Sequence, residues 1–150
     1  MNELFKRNLR VLRERQAHAA RAVEDSRGAK NLVVDVFPAR SGARAARVIP
    51  PDGRMHALHS AYDPAGEARR FAAASGASAG DAVAVLGFGL GHHVRALQKT
   101  VGPDGYVAAV EESPAVFEAA LQHVDIRDIL SRNNFSLFIG GDPRELAGWL

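Results

Sequence analysis

Leu4, Phe5, Leu9, Leu12 and Ala19 recur at helical spacing, with Lys6, Arg7, Arg10, Arg13 and Glu14 between them. That pattern predicts one amphipathic helix from about Asn2 to Val23. No heptad continues beyond it, so it reads as a core-packing or partner-docking helix rather than a coiled coil. After the polar break EDSRGAK, the β-branched run NLVVDVF predicts a buried strand closed by Pro38. RVIP and MHALHS read as two further short strands joined by the turn PPDG. The periodicity then changes. In YDPAGEARRFAAASG, Asp63 is placed to cap a helix whose first position is Pro64 and whose end suits Gly76.

From residue 82 onward, apolar runs and helical segments alternate. DAVAVLGFG predicts a strand buried on both faces, LGHHVRALQKT a helix, YVAAVEE a second buried strand and SPAVFEAALQHV a helix capped by Ser113. IRDILSR is a short helical piece and FSLFIGG a third strand. DPRELAGWL opens a helix with Asp142 and Glu145 at capping-box spacing. The expected class is therefore α/β: a Rossmann-like, class I methyltransferase-like half-sheet (β-α-β-α-β-α), preceded by a helix and short strands. The organisation expected is residues 1–60 as helix plus strands and 61–150 as the βαβαβ module. A finished sheet of this kind carries more strands. Either the strands before residue 60 complete it, or the chain is one piece of a longer protein, which is the preferred expectation.

Composition narrows the chemistry. With 150 residues, 47% apolar and 24% charged, the chain is the size of one ordinary globular domain. The absence of cysteine excludes disulfide scaffolds and thiolate metal sites. No apolar run approaches the roughly 18 residues a membrane helix needs, and the N-terminus lacks a secretory core. A cytoplasmic, membrane-free protein is expected. The net charge of +2 hides an asymmetry: residues 1–54 hold 12 Lys/Arg against 6 Asp/Glu, and residues 55–150 hold 7 against 11. Aromatics do not interleave the basic positions, so a solvated face is favoured over nucleic-acid binding.

The candidate site centres on VLGFGLGHHV, starting at Val85. Gly87, Phe88, Gly89 and Gly91 follow the first strand of the alternating region. There the backbone can approach a ligand, and the next helix offers its N-terminal N–H groups. A dinucleotide fingerprint G-x-G-x-x-G would need a small third residue, and that place is His92, so NAD binding is disfavoured. No P-loop is present. The G-x-G-x-G spacing resembles the first motif of class I S-adenosylmethionine methyltransferases. Glu111, 20 residues after Gly91 at the end of the next strand, can accept bonds from ribose hydroxyls, and Asp142 stands where such folds place an adenine-contacting acid. Val85 departs from that motif, which has an acid there, and no catalytic motif follows. The same residues also have plainer roles: the glycines as a tight turn, Glu111 as a strand-end charge, Asp142 as a helix cap. His92 and His93, and His56 and His59, show no metal-ligand spacing, and no metal or catalytic residue is assigned.

Four segments in order, ELFKRNLRVLRER, LHSAYDPAGEARRF, VLGFGLGHHVRAL and VAAVEESPAVFEAAL, resemble the N-terminal part of motility-associated-factor glycosyltransferases. A similar Rossmann-like module occurs in 6-hydroxymethylpterin diphosphokinase-like proteins. HSAYDP together with GFGLG is the specific part. The resemblance implies an accessory module of an enzyme that transfers a nonulosonic sugar from its CMP-activated form to flagellin Ser or Thr. The catalytic domain would lie outside this stretch. His59, Ser60 and Tyr62 are expected to share a pocket with the glycine loop, or else to belong to a capped helix start. A nucleotide or S-adenosylmethionine-like molecule is the expected ligand, and the rest of the parent polypeptide and flagellin the expected partners. Residues 2–23 are a candidate oligomerisation face. A methyltransferase-like domain and a non-catalytic oligomerisation module are the alternatives.

Overall fold

In the computed structural model, residues 2–27, 32–141 and 143–148 are described. Two helices open the chain, α1 (Glu3–Arg15) and α2 (Ala17–Ser26). The single helix expected over 2–23 is thus broken, and the break lies at Gln16 (φ −139°, ψ 63°). The reason is tertiary. Gln16 Nε2 donates to Phe135 O at 3.0 Å, and its Oε1 accepts from Leu137 N at 3.4 Å. An uninterrupted helix would not turn this side chain onto a strand.

Next come β1 (Val33–Pro38), β2 (Arg44–Ile49) and β3 (His56–Ala57), an antiparallel sheet of order β1-β2-β3. Asp35 faces Arg47 across the β1–β2 ladder, and the two form an ion pair at 2.7 Å. β1 was expected to be buried, yet its centre is only half-buried and its ends are exposed. A three-stranded sheet with no second sheet packed on it leaves one side open to water.

The alternating half of the chain forms α3 (Pro64–Ala74), β4 (Ala82–Leu86), α4 (His92–Val101), β5 (Tyr106–Glu111), α5 (Pro114–His123), α6 (Arg127–Leu130), β6 (Phe135–Ile139) and α7 (Pro143–Ala147). The caps read from sequence form: Asp63 accepts from Gly66 N at 3.0 Å, and Ser113 Oγ from Val116 N at 3.3 Å. The three strands make a parallel sheet of order β4-β5-β6. This is the α/β, β-α-β-α-β-α half-sheet expected. The antiparallel strands do not complete it, because they pair only with one another.

Register divides the parallel sheet into two unlike faces. Val83, Val107 and Phe135 lie side by side, as do Val85, Ala109 and Leu137. Right-handed crossovers through α4 and α5 step the sheet in one direction, so both helices cover this face. The first helix closes the core over α5 and α6. Its Phe5 and Leu12 are fully buried, and each contributes roughly 2–3 kcal/mol of apolar burial. Buried Asn8 fastens the layer, with Nδ2 donating to Leu121 O (2.9 Å) and Val124 O (2.7 Å) while Oδ1 accepts from Ile126 N (3.3 Å). Among the described residues, no helix is long and apolar enough to cross a membrane.

Candidate functional site

The glycine loop sits at the C-terminal end of β4, where ligands bind in open α/β sheets. Gly87, Gly89 and Gly91 all have positive φ (96°, 56° and 93°), so the alternate glycines are a backbone requirement. Space constrains two of them as well. A Cβ on Gly89 would stand 2.7 Å from His59 Nε2, and one on Gly91 would stand 2.8 Å from Ile129 Cδ1. Gly91 caps α4 and packs against the core, whereas Gly89 packs against His59.

Glu111 ends β5 and folds its buried carboxylate under the loop. Phe88 N and Gly89 N donate to Oε2 at 2.9 and 3.0 Å, and Ser113 N donates to Oε1 at 3.0 Å. A carboxylate offers about four acceptor positions, and three are taken by backbone. Glu111 therefore serves as an internal anion that gathers the loop's N–H groups, rather than as a solvated strand-end charge. One acceptor position remains for a hydroxyl.

His59, two residues beyond β3, reaches the same loop: Leu90 N donates to its Nε2 at 3.0 Å. In the neutral ring the proton is then on Nδ1, which is buried and has no partner among the described residues. Burial, followed by the neighbouring His92 and His93, lowers the His59 pKa to about 3, so the ring stays neutral at physiological pH. The His92 ring meets His59 edge-on, with centroids 5.0 Å apart, and its Nε2 lies 2.7 Å from Arg44 O. The imidazole at the third fingerprint position thus turns towards β2, joining the two sheets behind the loop. Its pKa is lowered chiefly by burial.

A cavity of about 330 Å³ opens in front of these groups. It is lined by His59, Phe71, Leu86, the Gly87–Gly89 segment, His93 and Glu111. That volume lies at the small end of small-molecule sites, which span roughly 300–1,000 Å³. Of the residues singled out in the sequence, His59, Gly87, Phe88, Gly89 and Glu111 meet here. Gly91 lies behind the loop. Ser60 acts locally: its Oγ accepts from Tyr62 N at 3.1 Å and Asp63 N at 3.2 Å, and its own N–H donates to Glu67. Tyr62 is 68% exposed and does not line the cavity. Asp142 lies outside the described residues.

Sequence reasoning passed over Phe71 and His93, whose rings meet edge-on with centroids 4.7 Å apart at the cavity wall. The available signal was Phe71 as the lone large apolar residue of an alanine-rich helix. No three His, Asp or Glu side chains among the described residues are grouped to hold a metal ion.

No protein-family profile matches the chain, and no curated protein matches its sequence. Among solved structures, it is similar to the MAf glycosyltransferase from Magnetospirillum magneticum AMB-1, with a TM-score of 0.62 and 14% identity. The overlap covers 98% of this chain and 29% of that one, so the chain spans under a third of the length of the structure it matches. A looser overlap, with fibrillarin from Aeropyrum pernix in complex with S-adenosyl-L-methionine, has a TM-score of 0.41 and 21% identity. It covers 77% of this chain and 55% of that one, too slight a likeness to bear on the reading. What the chain shares with the glycosyltransferase is therefore a fold.

Proposed function

We propose that this chain is the N-terminal Rossmann-like module of a flagellin-type protein glycosyltransferase. Its role is accessory to the transfer of a nonulosonic sugar to Ser or Thr, and it holds a nucleotide at the glycine loop. One observation carries the reading. His59, from the HSAYDP segment that with GFGLG best resembles that family, lines one pocket with the glycine loop and is bonded to it by Leu90 N. Supporting it is the shared fold with a glycosyltransferase over 98% of the chain. The chemistry fits a nucleoside: Glu111, at the cavity wall, keeps an acceptor position for a ribose hydroxyl. Phe71 and His93 supply aromatic surface for a planar base. Cytoplasmic residence and contact with flagellin belong to the same proposal.

Calorimetric titration with CMP, CDP, S-adenosylmethionine and S-adenosylhomocysteine tests it. The expected result is micromolar binding of a cytidine nucleotide, weakened about tenfold, roughly 1.4 kcal/mol, in Glu111→Gln. Circular dichroism checks that the variant is folded. Binding of the adenosyl compounds alone would favour the methyltransferase-like alternative instead, because Glu111 beside a G-x-G-x-G loop suits either nucleoside. Absence of binding by all four would overturn the nucleotide role.

A further inference from the structure

The backbone donors of the glycine loop are all occupied from within the protein. Gly87 N donates to Val110 O at 2.7 Å, and Gly91 N to Phe88 O at 2.9 Å. Phe88 N and Gly89 N both donate to Glu111 Oε2, and Leu90 N donates to His59 Nε2. The consecutive N–H groups from Gly87 to Gly91 are thus satisfied before any ligand arrives. A phosphate at a loop of this kind is held by such groups, several of them converging on one anion. Here the place of that anion is taken by the carboxylate of Glu111.

This carboxylate is firmly held. Glu111 is 7% exposed, and its other oxygen accepts from Ser113 N, just before α5, at 3.0 Å. Swinging it aside would break three backbone bonds and leave buried polar groups unpaired, a loss far larger than that of an exposed contact. A phosphate settling beside it would instead meet like charge across a few ångströms, with little water between to screen it. None of the described residues lining the cavity is Arg or Lys, so nothing there offsets the repulsion. The first turn of α4 offers no substitute cradle: of His92, His93 and Val94, only His93 reaches the cavity wall. The rest of the lining suits an uncharged body, with Leu58, Phe71, Val85, Leu86 and Val116 making it largely apolar.

We propose that the loop takes the nucleoside part of its ligand and turns phosphate away, with Glu111 setting that choice. This rests on the reading of the cavity as a nucleotide site, and it fixes how the ligand lies. Base and ribose rest against the loop, and the phosphates point out of the cavity. The usual arrangement, in which a glycine loop at a strand end cradles the phosphates, is thereby reversed.

Calorimetric titration with cytidine, CMP, CDP, adenosine and AMP tests this, at about 50 and about 500 mM salt. Cytidine is expected to bind at least as tightly as CMP and CDP, and salt is expected to change its affinity by less than about twofold. A nucleotide that binds more than about threefold tighter than its nucleoside would overturn the proposal. Inorganic pyrophosphate, followed through the amide signals of Phe88, Gly89 and Leu90, is expected to leave all three in place. A saturable shift of these signals would show Glu111 yielding the loop to phosphate, and would overturn the proposal as well. Glu111→Gln removes the charge at nearly constant shape. In that variant, shown to be folded by circular dichroism, the ratio of CDP to cytidine affinity is expected to rise at least about fivefold. An unchanged ratio would remove Glu111 as the residue that excludes phosphate. Tighter binding of CDP would leave the nucleotide site standing and sink only this inference. Adenosine bound in place of cytidine, and no more weakly than AMP, would do the reverse: the cytidine-sugar reading would fall and the exclusion of phosphate would stand. Binding of none of these compounds would overturn both.

Discussion

At the residue scale, the loop depends on contacts no motif specifies. Gly89→Ala forces a Cβ against His59 in a left-handed backbone conformation, and about 2–4 kcal/mol of stability is expected to be lost. Urea denaturation measures it, and a loss under about 1 kcal/mol would show that the His59–loop contact is loose. His59 also couples stability to pH. Its folded pKa lies below its unfolded value, so the unfolded chain binds more protons once pH drops under about 6.5. Stability is therefore full above that pH and is lost progressively towards pH 3, by about 2 kcal/mol at pH 5 from this ring. Burial of His92 and His123 adds in the same direction. His59→Gln, whose side-chain oxygen can still accept from Leu90 N, is expected to flatten the stability curve between pH 6.5 and 5. An unchanged slope would assign the effect to other groups. The alternate glycines were legible in the sequence because positive φ selects them. The clamp of Glu111 on the loop was not, because a carboxylate at a strand end reads the same whether it faces ribose or backbone.

At the element scale, strands and helices followed local pattern, and their burial did not. β4 reads as a strand buried on both faces, yet four of its five residues are exposed or half-buried, because it lies at the sheet edge. Helix α1 reads as continuous with α2, since nothing in ERQAHAA breaks a helix. The kink exists for Gln16, whose two bonds to β6 outweigh the one turn of helix given up. Gln16→Ala is expected to cost about 1–3 kcal/mol by leaving buried backbone groups of β6 unpaired. It would also raise amide exchange at Leu137 above that of Ala109 on the inner strand. If Gln16→Ala instead stabilises the chain, the kink has another cause.

At the scale of the whole molecule, the first helix is part of the core. Phe5, Leu9 and Leu12 are spent against α5 and α6, and Asn8 ties them down. Removing residues 2–15 is thus expected to abolish cooperative unfolding, not merely to change an oligomeric state. Calorimetry and light scattering on the truncated chain check this. A truncated chain that stays monomeric and melts cooperatively would show that the half-sheet stands without α1.

The sequence by itself determined the order and kind of the elements, their proline and serine or aspartate caps, and the place of the glycine loop. Those are local properties: side-chain period, φ preference and hydrogen bonds within a turn. Only the tertiary structure decided that Glu111 faces the loop's N–H groups and that His59 and Phe71 share its cavity. Those depend on packing between residues tens of positions apart, and no local pattern encodes which neighbour will arrive.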